Sequence, residues 1–254
     1  MWKRIRIGAL LLILVSVASS EWLEQQRLWA WRHTTTVALY PIAGDDSPAT
    51  ARYVRSLSAT DYADIERFFA DEAKRYALPL EQPIRIELYQ GTTAPPPAPP
   101  FESRGLGVVW WSLKLRYYAW RASHAGDGPI RIFVIFHDGR RLPTLPHSLG
   151  LQRGHIGVVH AFAVPFMAGS NNVIIAHELL HTLGATDRYD LSTDLPLIPD
   201  GLGDPNQQPL YPQDFAEIMA GRRLVAPGRA EIPVSLSECL IGAVTAREIH
   251  WVHD

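Results

Sequence analysis

The chain has 254 residues, of which 47% are hydrophobic and 20% charged, and its formal net charge is −2. This length suits one large domain or a domain of two lobes, with enough apolar sequence for a packed core. No basic block appears after the first residues, which excludes nucleic acid as a partner class. Twenty prolines and eighteen glycines predict long irregular connections.

The opening segment, MWKRIRIGALLLILVSVASS, puts Lys3, Arg4 and Arg6 ahead of an apolar run from Ile7 to Ala18. That run is short for a bilayer span of ~20 residues and suits a secretory signal, with Ser16-Val17-Ala18 as a small-residue cleavage site. Trp22, Trp29 and Trp31 follow, and tryptophan favours the membrane–water interface, so an uncleaved anchor is the other reading. Residues 1–32 are therefore set apart as a signal peptide or a membrane anchor with a juxtamembrane segment. Either reading places the rest of the chain outside the cytoplasm, membrane-anchored or secreted. Cys239 is the only cysteine. An exported chain of this kind holds its core without an intramolecular disulfide, and the thiol is expected to be buried and inert.

From Thr34 to Ile42 the sequence reads as a strand, ended by AGDDSP. DYADIERFFADEAKRYAL sets Ile65, Phe68, Phe69, Ala73 and Tyr76 at helical spacing, with acids early and Lys74 and Arg75 late, as the helix dipole prefers. Pro83 to Gln90 alternates Ile84, Ile86 and Leu88 like a half-buried strand, and TTAPPPAPP after it forms a stiff connection. Trp110 to Ala122 predicts a second helix whose aromatics fill a core or an interface. Ile130 to His137 is nearly continuous apolar and β-branched, as a central strand is. Gly154 to Pro165 predicts another strand, its glycines suggesting a sheet edge or a bulge.

Ser170 and Asn171 are the expected caps of the next helix. Arg188 to Pro233 is loop-like, a length that in a compact domain points to function or disorder. TAREIHWV reads as a closing helix. The order predicts an α/β (α+β) fold in two parts: a sheet subdomain over residues 33–184, including the site helix, and a smaller irregular subdomain over 185–254.

The stretch VIIAHELLHTLGATDRYD carries the chemistry. On a helix His177 and His181 lie one turn apart and share a face, so two imidazole nitrogens can meet one ion at ~2.0–2.1 Å. Glu178 points about 100° away, which suits a general base acting on a water rather than a ligand. A His-Glu-x-x-His arises by chance in roughly two of a hundred such chains, so the residues that follow decide its weight. Gly184 can take positive φ, stop the helix and turn the chain back, and Asp187 then returns toward the metal as the simplest third ligand. Glu217 is the alternative third ligand. With two neutral imidazoles and one carboxylate a Zn²⁺ site carries net +1, a less acidic setting for its water than three imidazoles give, which shifts work onto Glu178.

His177-Glu178-x-x-His181-x-x-Gly184-x-x-Asp187 resembles the extended zinc motif of the metzincin clan of metalloproteases, and its aspartate variant is similar to the snapalysin-like branch. The resemblance covers roughly Gly154 to Gly221. It implies a Met-turn at Met219, in AEIMAGR, under the zinc, and an edge strand that pairs with an extended peptide, for which GHIGVVHAF is the candidate. Some members carry a tyrosine two residues after that methionine, where this chain has Gly221; Tyr189, near Asp187, either polarises the carbonyl or simply packs.

The activity implied is zinc-dependent hydrolysis of peptide or protein substrates. Alternatives are a gluzincin-like enzyme using Glu217 and a non-catalytic zinc-containing envelope binding protein. His155 and His160 fall on opposite strand faces and are expected to be satisfied structurally. His137, His147, His250 and His253 lack partner spacing, and Arg222 and Arg223 read as a solvated pair.

Overall fold

The computed structural model describes residues 22–92, 94–100, 106–123 and 127–252, together with positions 6, 7, 12, 15 and 19. Most of the apolar N-terminal run, and all of Ser16-Val17-Ala18, lie outside the described residues. Among the described residues no helix is long and apolar enough to cross a membrane.

Five strands form one mixed sheet: β1 (Thr35–Ala43), β2 (Ile84–Leu88), β3 (Ile130–His137), β4 (Leu149–Leu151) and β5 (Ile156–Phe162), in the order β2-β1-β3-β5-β4. All pairs are parallel except β4 with β5. The fold is α/β. Strands β1 and β3 are almost wholly buried because helices cover both sheet faces, which is why their sequences run apolar without alternating with polar residues. Val37, Leu39, Ile130, Ile132 and Val134 point to one face, where α2 (Ala63–Arg75) and α4 (Ala168–Leu183) supply Phe69, Leu179, Leu180 and Leu183. Tyr40, Phe133 and Ile135 point to the other, covered by Trp111, Leu115 and Ala119 of α3 (Leu106–Ala122). Burying each large apolar side chain contributes about 1.5–3 kcal/mol.

Helix α1 (Pro48–Ser56) was not expected. Ser47 caps it by accepting from the Ala49 amide, and Pro48 at its first position needs no hydrogen-bond partner for its nitrogen. After α4 the chain is largely irregular, stitched by short ladders: β6 (Ala216–Glu217) with β9 (Cys239–Leu240), and β7 (Arg223–Ala226) with β8 (Arg229–Glu231). Helix α5 (Ala243–Glu248) closes it. Cys239 is buried, which pushes its thiol up to about 12.

Three expectations need correction. GHIGVVHAF is an inner strand; the edge is β4, a three-residue strand too short to leave a periodic signal. Its glycine reflects packing, since a Cβ on Gly157 would lie 2.5 Å from Ile132 Cδ1. Ser170 and Asn171 are inside α4 rather than capping it, and Asn171 instead clamps β5, donating to the Phe162 carbonyl at 2.9 Å and accepting from the Phe162 amide at 3.2 Å. Trp31 is buried, with its indole donating to Ile249 O at 2.7 Å, and Trp29 donates to Leu183 O at 2.9 Å. Trp29 and Trp31 therefore belong to the packed body.

His137 and His160 stack across β3 and β5, Nε2 to Nδ1 at 2.9 Å. Burial, helped by His137, pushes the His160 imidazole down to about 4. A depressed folded-state pKa means the unfolded chain takes up the proton first as pH falls. The neutral ring's stabilisation is therefore complete above the unfolded value of about 6.5 and is lost as pH falls toward 4. Thermal unfolding from pH 7.5 to 4 should show a falling midpoint, and His160→Gln should remove on the order of 2 kcal/mol of that dependence.

Candidate metal centre

The first ten residues of α4 bury Val173, Ile175 and Ala176 against the sheet. His177, the tenth residue, and His181, one turn further, face the irregular subdomain, where His177 Nδ1 meets Ile218 O. The helix stops at Gly184, whose φ is +115°, and the amides of Gly184 and Ala185 both turn back to the Leu180 carbonyl at 3.1 and 3.0 Å. A Cβ at this position would be strained in the left-handed region and would sit 2.8 Å from Gln152 Nε2. The reversal carries Asp187 back over the helix end. Its Oδ1 lies 3.2 Å from His177 Nε2 and 3.2 Å from His181 Nε2, and the two Nε2 atoms are 3.1 Å apart.

The opposite ring nitrogens determine what those three atoms are. His177 Nδ1 faces Ile218 O at 2.9 Å and His181 Nδ1 faces Ala185 O at 2.8 Å. A carbonyl only accepts, so each Nδ1 carries a proton, and each ring in its neutral form presents a lone pair at Nε2. Two lone pairs and a carboxylate oxygen thus converge, and Asp187 Oδ1 is buried with no hydrogen-bond partner. Tetrahedral zinc with bonds of ~2.0–2.1 Å holds its ligands about 3.3 Å apart. The observed separations fit that donor set. Among the described residues these three form the one group of His, Cys, Asp or Glu side chains close enough to share a metal ion.

Burial opposes charge on His177, but Asp187, Glu178 and the Ile218 carbonyl outweigh it and raise its pKa. Burial also opposes charge on Asp187, but the imidazoles hold its carboxyl well below the ordinary range. Glu178 is pushed upward by burial against the pull of both histidines, and its Oε2 is buried without a partner. Glu178 and His177 line a cavity of about 520 Å³ with Tyr189, Val173, Ile174 and Ile232. Tyr189 is raised, first by burial and then by Asp187 and Glu178, so its phenol keeps its proton.

Met219 is fully buried in the turn Ile218–Ala220, which ends at Gly221 with φ +66°. Its carbonyl accepts from the Arg188 amide at 2.9 Å, tying the turn to the residue after Asp187. Glu217 is not among the converging groups. Its carboxylate accepts from the Ala220 amide at 2.9 Å, the Gly242 amide at 3.0 Å and Thr245 Oγ1 at 2.6 Å, so it anchors the turn from below.

His155 bonds Thr182 O at 3.0 Å and His160 bonds His137; neither reaches the centre. Arg222 lines the cavity and pairs with Asp194 at 3.4 Å, while Arg223 reaches Glu231 at 3.5 Å, so the two do not act as a free solvated pair. The cavity wall at Leu145–Ser148, including His147, was missed by sequence reasoning, and no local signal marks it.

No family model matches the chain. No curated protein matches it either. Among solved structures, that of wild-type OgpA from Akkermansia muciniphila is similar with 12% identity and a TM-score of 0.30, over 61% of this chain and 50% of that one. The chain thus spans about half the length of that neighbour.

Metal analysis of purified variants tests the ligand set. Asp187→Ala should lose bound zinc while Glu217→Gln keeps one ion per chain, and a reversed result would move the third ligand to Glu217. Gly184→Ala should cost about 1–3 kcal/mol of stability, from the left-handed backbone it must adopt, and weaken zinc retention with it.

Proposed function

We propose that the chain is a zinc-dependent endopeptidase of metzincin type, with His177, His181 and Asp187 holding the ion and Glu178 as general base. The observation that carries this reading is the convergence of two imidazole Nε2 atoms and a carboxylate oxygen 3.1–3.2 Å apart beside the buried, unpartnered carboxylate oxygen of Glu178. A bound zinc ion supplies a Lewis acid that polarises a carbonyl and lowers the pKa of a water. All other steps belong to side chains of this chain. Glu178 takes the proton of the attacking water and passes it to the departing amine nitrogen. Tyr189, neutral and lining the same cavity, donates to the oxygen on which charge develops. Met219 forms the floor beneath the histidines.

The cavity accepts a peptide in extended form. Its wall runs from Leu145 to Ser148 directly into β4, whose outer side is a free sheet edge in the described residues. An extended substrate can add to such an edge through main-chain hydrogen bonds. Most of the other lining residues are apolar, which suits desolvation of a peptide bond.

Glu178→Gln should retain one zinc ion per chain and lose peptide cleavage by roughly 10²–10⁴-fold. A diverse peptide library incubated with the zinc-loaded chain and with this variant, and read by mass spectrometry of new termini, provides the measurement. Zinc-loaded wild type that cleaves no member would sink the enzyme reading and leave a metal-containing binding protein.

A further inference from the structure

We propose that the outer face of α3 is a docking surface for an anionic lipid bilayer. The helix is apolar on two sides. Trp111, Leu115 and Ala119 are buried on the sheet. On the far side Trp110, Leu113, Tyr117 and Trp120 are exposed by 61%, 52%, 58% and 71%, at intervals of three, four and three residues, which aligns them in one stripe. Solvated helices carry polar residues there, and a contiguous exposed patch of this size marks an interaction site.

The composition of the stripe selects the partner. Trp and Tyr have an apolar body and a polar tip, the form suited to the headgroup boundary of a bilayer. Lys114 and Arg121 flank the stripe, with Lys114 Nζ 5.6 Å from the Trp110 ring, and α3 contains no acidic residue. A helix that is basic on its flanks and aromatic on its crest lies in the plane of an anionic interface.

The basic-then-apolar order of residues 3–18 agrees, since it reads as an export signal or an anchor, and either brings the chain to a membrane. The metal centre belongs to α4, on the opposite sheet face, so a bilayer on α3 leaves the cavity open to water. The inference does not depend on the metal being zinc or on catalysis.

The experiment uses the full chain with Tyr117→Cys carrying an environment-sensitive dye, and a control chain with the dye at Arg67→Cys on α2. Arg67 is 68% exposed on the other side of the sheet, and native Cys239 is buried and does not label. On phosphatidylcholine–phosphatidylglycerol vesicles the dye at 117 should shift to the blue and its quenching by aqueous iodide should fall about fivefold, while the dye at 67 stays accessible. Exchanging Lys114 and Arg121 for Glu should reverse most of that protection without changing the fold, read by circular dichroism. The proposal is overturned if vesicle-bound protein leaves position 117 as accessible as position 67. It is equally overturned if position 117 is protected before vesicles are added, because a second copy or the chain's own apolar run then covers the face.

Discussion

Two main-chain carbonyls decide what the paired histidines can do. By accepting the Nδ1 protons, Ile218 O and Ala185 O leave the Nε2 lone pairs facing each other and the Asp187 carboxylate. A buried polar atom without a partner costs about 1–3 kcal/mol, and Asp187 Oδ1 is one. The helix beneath is immobilised by Ile175, Leu179, Leu180 and Leu183, all fully buried, each contributing about 1.5–3 kcal/mol. A cation held by the two rings and the carboxylate would give Asp187 Oδ1 its partner.

Holding Ile218 O in place is a long-range task, because it lies 41 residues from His177. Glu217 fixes one side of the turn through Gly242 and Thr245. Glu248 fixes the other, accepting from the Thr186 amide and hydroxyl and from the Arg188 guanidinium, so that both neighbours of Asp187 are tied to α5. The segment before α5 is in turn secured to α2, where Glu72 accepts the Ile241 amide at 2.6 Å and Tyr76 donates to the Ile241 carbonyl at 2.8 Å. Buried carboxylates thus do for the irregular subdomain what ladders do for the sheet: they satisfy main-chain groups that have no secondary-structure partner.

The parts of this that were legible in sequence share one property, a short repeat. Ile130 to His137, the helix around Phe68 and Phe69, and the His177–His181 turn each repeat within a few residues, and Gly184 marks its own backbone reversal. The cavity wall at Leu145–Ser148 and the edge strand β4 have no repeat; β4 is three residues long and exists because β5 offers it a partner. Helix α1 was signalled by Ser47-Pro48, but those two residues also read as the end of β1. Glu217 was placed among metal-ligand candidates because a carboxylate near the turn looks the same whether it faces up to the histidines or down to Thr245. Only the tertiary path of residues 239–245 separates the two.

The position of β4 follows from a single glycine and sets the geometry of the cleft. A Cβ on Gly150 would lie 2.4 Å from the Glu178 carbonyl oxygen and 2.6 Å from His181 Cβ, so the strand rests directly on the helix turn that carries the candidate base and one histidine. Any side chain there would lift the edge strand away from α4 and widen the cleft between them. The one antiparallel strand of the sheet is thus also the one whose height above the metal-facing helix is set by the absence of a side chain. If the chain is the peptidase proposed above, a substrate paired to β4 would inherit that height, so main-chain pairing alone would set its distance from α4.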